Sequence, residues 1–112
     1  MSDLPVFSTI GTNKSVTLSL TTADAEVELP KTDQGDYATF YAVQQTPTTT
    51  SATFTTGPTG TAHVFGQGLM VPADGHPIVF ASGLGKNQKT NNFLIGIMVS
   101  GSATLVITPL GN

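Results

Sequence analysis

The stretch from Asn92 to Pro109, NFLIGIMVSGSATLVITP, decides the fold class. Its two halves are rich in β-branched and apolar residues, and Ser100 and Gly101 between them are typical of a tight turn. In the second half, apolar residues recur at every second position, which places them on one face of an extended strand. We therefore predict a terminal β-hairpin. The inward-facing residues of its second strand are predicted to be Ala103, Leu105 and Ile107.

The same period of two recurs nearer the N-terminus. Residues 15–20, SVTLSL, alternate hydroxyl and apolar side chains, and residues 25–29, AEVEL, alternate apolar side chains with Glu26 and Glu28. The second pattern indicates a strand with one face in water. Residues 37–43, YATFYAV, are apolar on both faces, which favours a strand in the middle of a packed sheet.

The central part of the chain is punctuated by turn residues. We interpret residues 44–60 as a long loop with one short strand around Phe54. Residues 61–66, TAHVFG, and 77–81, PIVFA, are predicted to be further strands. Gly96, inside the last hairpin, indicates a bulge or a close approach of another element. No window has sustained helical periodicity, so the sequence predicts an all-β protein.

About eight short strands separated by turns indicate a two-sheet β-sandwich, of jelly-roll-like type, with a small barrel as the competing architecture. A length of 112 residues fits a single domain, 1–112, in which residues 1–14 are a candidate N-terminal arm. Cysteine is absent, so packing and strand pairing must hold the fold without disulfides.

Composition excludes several classes of partner. Only 10% of the residues are charged, arginine is absent, and the net charge is −3, so there is no basic patch for nucleic acid or anionic lipid. No apolar run has the length of a spanning helix, and the opening residues, MSDLPVFSTI, do not form an export signal. We expect a soluble chain made in the cytoplasm.

His63 and His76 are the two imidazoles of the chain, and Asp74 is the nearest carboxylate in sequence. Two histidines and an aspartate are a possible zinc ligand set, but no ligand spacing supports it. An Asp-Gly turn explains Asp74 and Gly75 without a metal. We predict no metal and no cofactor, and we expect His63 to face solvent or to cap a sheet edge.

No arrangement of residues indicates catalysis. No serine lies in a nucleophile elbow, and Glu26 and Glu28 on one strand face are explained as a solvated surface that opposes aggregation. Residues 66–68 and 83–86 are rich in glycine but match no phosphate-binding motif, so they are predicted to be loops, and residues 82–92 an exposed connection. We predict that the protein is not an enzyme.

Carbohydrate binding is a further hypothesis, because β-sandwiches bind glycans by stacking sugar rings on exposed aromatic side chains. Tyr37, Tyr41 and Phe54 are available for this role, while tryptophan is absent. Aromatic residues in a small domain more often pack inward.

Four segments in order, ATFYAV, GTAHVFG, MVPADGHPIVFA and SGSATLVITP, give the chain a resemblance to a known family. Between Ala38 and Pro109 it resembles small structural proteins of tailed bacteriophage virions. That resemblance implies a capsid decoration, or cement, protein. Such a protein is a β-sandwich without cofactor or catalytic residues that docks on the outside of the expanded head and bridges coat subunits. The chain departs from the family pattern in its lack of arginine and in its first thirty residues.

The expected partners are the major capsid protein and sister subunits in a homo-oligomer on the capsid surface, after synthesis in the host cytoplasm. A second hypothesis is a carbohydrate- or receptor-binding module of a phage tail or fibre. A third, an oligomeric cupin-like enzyme, needs more inward-facing histidines than the two present. The N-terminal arm would contact the capsid or a sister subunit, unless it is an ordinary first strand. Its candidate interface residues are Leu4, Val6, Phe7 and Ile10.

Overall fold

A computed structural model describes residues 15–32, 35–82 and 91–110. These residues form eight β-strands and contain no helix. The strands are β1 (Val16–Leu20), β2 (Ala25–Glu28), β3 (Phe40–Gln45), β4 (Ala52–Gly57), β5 (Leu69–Val71), β6 (Ile78–Ala81), β7 (Phe93–Met98) and β8 (Ala103–Leu110).

The strands form two antiparallel four-stranded sheets. The first has the order β1-β8-β3-β6 and the second the order β2-β7-β4-β5. The pairs β1–β8, β2–β7, β3–β6 and β4–β5 are therefore nested, as if one long hairpin had been rolled up. This is the strand order of a jelly roll, and it confirms the predicted all-β, two-sheet sandwich.

The predicted terminal hairpin is wrong. β7 and β8 lie in different sheets, and the chain between them, with Gly101 at a φ of 72°, crosses from one sheet to the other. A rolled hairpin places most consecutive strands in opposite sheets, so β8 pairs with β1 and β3 instead. The predicted facing of β8 is nevertheless confirmed, since Leu105 and Ile107 are fully buried and Ala103 packs against the core.

The core lies between the sheets and is built from the inward side of each strand. Leu18 and Leu20 of β1 are buried, as the alternation predicts. An aromatic group joins the two layers: the ring of Phe80 stacks on Tyr41 with centroids 5.8 Å apart and tilts against Phe54 at 5.2 Å. The interior is thus filled with side chains.

Gly96 marks a close approach, as predicted. A Cβ atom at this position would lie 2.9 Å from Cδ2 of Leu20 and 3.4 Å from Cδ1 of Leu105, both in the opposite sheet. The missing side chain therefore lets the two layers pack tightly at β7.

Three predicted segments have a different structure. Residues 61–66 contain no strand and belong to a loop that runs from Pro58 to Gly68, while the next strand is β5. The strand around Phe54 is a full six residues and lies inside the second sheet. β3 lies in the middle of the first sheet, but only one of its faces is buried.

Candidate functional site

The two outer faces of the sandwich differ, because the loop of residues 58–68 covers part of the second sheet. The carboxylate of Glu26, on the outer face of β2, accepts hydrogen bonds from the hydroxyl of Thr59 and, at 2.7 Å, from the backbone N–H of Gly60. These bonds lower the pKa of Glu26, the Thr59 hydroxyl contributing most. The outer face of the second sheet is therefore partly covered by this loop, which we call the covering loop.

His63 is part of the covering loop. The prediction that it faces solvent or caps an edge is wrong, since the residue is 5% exposed. Its Nε2 lies 3.2 Å from the hydroxyl of Thr53, on the outer side of β4, and its backbone N–H donates to Asp24 at 3.1 Å. The same Thr53 hydroxyl accepts the N–H of Gly66 at 3.2 Å. His63 thus anchors the loop to the sheet.

The outer face of the first sheet has a different chemistry, since its outward positions carry hydroxyl, amide and apolar side chains only. The register places Ala42 between Val79 and Thr108, and Gln44 beside Val106. We call this surface the uncharged face. It consists of Thr17, Ser19, Phe40, Ala42, Gln44, Val79, Ala81, Thr104, Val106 and Thr108.

Among the described residues, charge is segregated away from this face. In residues 15–32, 35–82 and 91–110, five of the six Asp, Glu and Lys residues lie between positions 24 and 36, at the β2 side of the sandwich. The sixth, Asp74, is in the connection between β5 and β6. The uncharged face is therefore a surface that a partner can cover without desolvating an ion.

A polar cluster surrounds Tyr37 next to β2. The Tyr37 hydroxyl donates to Glu28 at 2.5 Å and accepts from the side-chain amide of Asn92 at 3.1 Å, and the Lys31 ammonium lies 5.1 Å from the ring centre. Burial, and then the bond to Glu28, raise the pKa of Tyr37. A cleft of about 440 Å³ adjoins the cluster and is lined by Val16, Val27, Glu28, Leu29, Pro30 and Lys31.

The other two candidate sugar platforms are in the core. Tyr41 is fully buried and Phe54 is 1% exposed, so neither ring can stack on a glycan. The Tyr41 hydroxyl donates to the carbonyl of Pro30 at 2.8 Å and accepts from the N–H of Ala38 at 3.1 Å. Burial raises the pKa of Tyr41 to about 12, which fits a structural hydroxyl.

His76 and Asp74 form the predicted turn. The Asp74 carboxylate accepts the backbone N–H of His76 at 3.1 Å and lies 2.9 Å from its Nδ1, while Gly75 has a φ of 95°. The backbone bond, followed by the side-chain bond, lowers the pKa of Asp74. His63 lies elsewhere, in the loop against the second sheet. In the described part of the chain no three His, Asp or Glu residues are grouped to hold a metal ion.

The candidate arm residues Leu4, Val6, Phe7 and Ile10 lie outside the described residues, as does the glycine-rich segment 83–86. Residues 66–68 form part of the covering loop. Sequence reasoning missed the uncharged face. Its signal was the hydroxyl-rich alternation of residues 15–20 and 102–108, in which the outward positions of two neighbouring strands carry no ion.

Comparison of the chain with protein-family models, with curated proteins and with solved structures gave no match. No helix of the described residues is long and apolar enough to cross a membrane.

Proposed function

We propose that this chain is a structural virion protein of a tailed bacteriophage, a capsid decoration protein that binds the outer surface of the head and stabilises it. The observation that carries the proposal is the uncharged face, a sheet surface of hydroxyl and apolar side chains opposite a second sheet that is covered by its own loop. The sequence resemblance to small virion proteins supplies the biological setting.

The chemistry of the face supports docking on protein. Charged residues are depleted at the cores of protein interfaces, because desolvating an ion costs several kcal/mol unless it is paired. Ala42, Val79 and Val106 offer apolar area, and the neighbouring threonines and Gln44 offer hydrogen-bonding groups. The jelly roll is a recurrent fold of viral capsid domains, although the fold alone does not fix function.

In this role the protein catalyses no reaction and needs no cofactor. Its partners are the major capsid protein and sister subunits, and its place is the capsid surface after synthesis in the host cytoplasm. The covering loop lies over the second sheet and not over the uncharged face, so each subunit would dock through the uncharged face in a single orientation.

Two measurements test the proposal. Quantitative mass spectrometry of purified phage particles is expected to find hundreds of copies of this chain per particle, in a fixed ratio to the coat protein. A copy number of a few would contradict a decoration role.

Binding of the purified chain to undecorated expanded heads tests the face. Gln44→Glu introduces a carboxylate into the uncharged face, beside Val106, with almost no change of shape, and should weaken head binding at least about tenfold. Gln67→Glu is the matched control, since Gln67 is exposed on the loop over the other sheet. Equal binding by both variants would show that the uncharged face does not contact the head.

One observation favours the second hypothesis, a carbohydrate- or receptor-binding module of a tail or fibre. Tyr37 is half-buried at the surface and stands beside Glu28, Lys31 and Asn92, a mixture of ring and polar groups that suits a sugar. Glycan binding that is lost in Tyr37→Ala, together with a low copy number, would establish this function instead.

A further inference from the structure

The two lateral edges of the sandwich are protected to different degrees. At one edge, β1 of the first sheet has no charged residue, but β2 beside it in the second sheet carries Glu26 and Glu28, and charges of this kind oppose edge-to-edge pairing. At the other, β5 and β6 contain no charged residue, and they expose three large apolar side chains. These are Leu69, Met70 and Val79, which are 47%, 54% and 49% exposed.

β6 is an edge strand of the first sheet. Within residues 15–32, 35–82 and 91–110, its only strand partner is β3. The N–H of Ser82 donates to the carbonyl of Thr39 at 2.8 Å, so residues 39 and 82 are a hydrogen-bonded pair of the antiparallel ladder. Because such pairs alternate, Phe80 and Ile78 direct their backbone groups to β3, and Val79 and Ala81 direct theirs away from it.

This edge is self-complementary in one register. Opposite residues of an antiparallel pair point to the same face of a sheet, so two β6 strands related by a two-fold axis can place Val79 opposite Val79. The two Val79 residues then exchange both backbone hydrogen bonds. The N–H of each Ala81 donates to the carbonyl of Pro77 in the other copy. Pro77 has no N–H, so the reciprocal hydrogen bond to the carbonyl of Ala81 is missing at this pair.

The same register also matches the side chains. Val79 meets Val79 on the outer surface, while Ile78 meets Phe80 on the inner side. Next to Phe80, a cleft of about 320 Å³ opens between the two sheets. It is lined by Phe54, Thr55, Thr56, Gly68, Leu69, Phe80 and Ala81.

We propose that two copies of this chain form a two-fold symmetric dimer through β6, with Val79 on the axis and the first sheets joined into one of eight strands. A second copy is the partner that the self-complementary register of this edge favours. Each chain has a net charge of −3, and the β6 contact limits the repulsion between two copies, because it keeps the carboxylates at the β2 side of each copy far apart. The dimer also closes the two clefts against each other and joins the two uncharged faces into one surface.

Disulfide trapping of the purified chain tests the register. The protein has no cysteine, so Val79→Cys places one thiol at the axis. Hydrogen-bonded antiparallel pairs have Cα atoms about 5.5 Å apart, within the roughly 4.4–6.8 Å that a disulfide spans. Mild oxidation is expected to convert Val79→Cys into a dimer of twice the 11.6 kDa monomer mass. Val64→Cys is the control, since Val64 is 62% exposed on the covering loop, and it should stay largely monomeric.

Charge substitution tests the contact without oxidation. Val79→Glu and Val79→Lys each place like charges directly opposite one another, so each variant alone is expected to sediment as a monomer with an unchanged circular dichroism spectrum. An equimolar mixture should recover dimer through the Glu–Lys pair. A wild-type chain that sediments as a monomer, or equal trapping of the two cysteine variants, would overturn the proposal. So would a mixture that stays monomeric. None of these measurements involves phage particles, so the dimer and the virion role succeed or fail separately.

Discussion

The side-chain carbonyl of Gln45, on β3 of the first sheet, accepts a hydrogen bond of 3.0 Å from the backbone N–H of Ala52, on β4 of the second. The Gln45 amide donates in turn to the carbonyl of Thr50 at 2.9 Å and to the hydroxyl of Thr48 at 3.3 Å. Gln45 is 1% exposed, so a buried amide links the two layers across the β3–β4 connection. Buried polar groups of this kind are stabilising only while every partner is present.

Replacing Gln45 by leucine should therefore destabilise the fold. The change keeps the volume but leaves the N–H of Ala52 without its side-chain acceptor, and an unsatisfied buried donor costs roughly 1–3 kcal/mol. The carbonyl of Thr50 loses one of its two hydrogen bonds and keeps the one from the Thr48 hydroxyl. We expect the free energy of unfolding to fall by about 2 kcal/mol or more in urea titrations followed by circular dichroism.

The neighbouring Gln44 provides the control for this change. It is exposed on the outer side of the same strand, and Gln44→Ala should change the free energy of unfolding by less than about 0.5 kcal/mol. If Gln45→Leu proved as stable as Gln44→Ala, the amide would not be holding the layers together.

A second prediction concerns two glycines with positive φ. Gly68 has a φ of 77°, and a Cβ there would lie 2.1 Å from the carbonyl oxygen of Phe54, a backbone atom that cannot move aside. Gly101 has a φ of 72°, and no atom outside its chain neighbours lies within 4 Å of the place that a Cβ would take there. Gly101→Ala should cost about 1 kcal/mol from backbone strain alone, while Gly68→Ala should cost at least about 3 kcal/mol or prevent folding. Equal melting temperatures would contradict the close approach at Gly68.

A third prediction concerns the acid stability of the covering loop. Hydrogen bonds from Thr59 and Gly60 hold the pKa of Glu26 below its ordinary value of 4.5. The stabilisation from these bonds is complete above that value and is lost as the pH falls through the lowered pKa of the folded state. The pKa of Asp74 is lowered too, so both groups contribute to acid sensitivity.

Urea midpoints measured at several pH values between neutral and about pH 3 test this linkage. We expect the urea midpoint of the wild type to decrease as the pH falls below the ordinary pKa of Glu26. The midpoint of Glu26→Gln should decrease less steeply, because its amide does not titrate. Asp74→Asn removes the other contribution and serves as a comparison. A Glu26→Gln variant that follows the wild-type curve would show that the bond to the loop does not discriminate between the charged and neutral carboxyl.

The facing of each strand could be predicted from sequence, but the pairing could not. The alternation at Leu105 and Ile107 predicts which side chains of β8 are buried. The same side chains are buried whether β7 and β8 form a hairpin in one sheet or lie in two different sheets. In a hairpin the buried sides of β7 and β8 would share one sheet face, whereas in the jelly roll they meet across the core. Two apolar runs around Ser100 and Gly101 therefore do not distinguish these arrangements.

The covering loop was mispredicted for a related reason. Residues 61–66 have the apolar and β-branched composition of a strand. The residue of this segment that is buried against the outer face of the second sheet is His63, however, while Val64 is 62% exposed. The burial of His63 depends on Asp24 and Thr53, which lie 39 and 10 residues away in sequence. No local pattern encodes such contacts. The uncharged face, by contrast, can be predicted from the alternation of residues 15–20 and 102–108, once β1 and β8 are known to be neighbours in one sheet.

The final prediction concerns the salt dependence of head binding under the proposed function. Salt screens interactions between exposed charges beyond a Debye length of about 8 Å in physiological buffer. The outward positions of β1, β3, β6 and β8 carry no charge, and five of the six charged residues of the described chain lie between positions 24 and 36. The Kd for expanded heads should therefore change less than about threefold between low and physiological salt. Titration of labelled protein onto heads measures this. A Kd that rises steeply with salt would mean that binding uses the charged β2 side, and Glu28→Gln would then alter affinity more than Gln44→Glu.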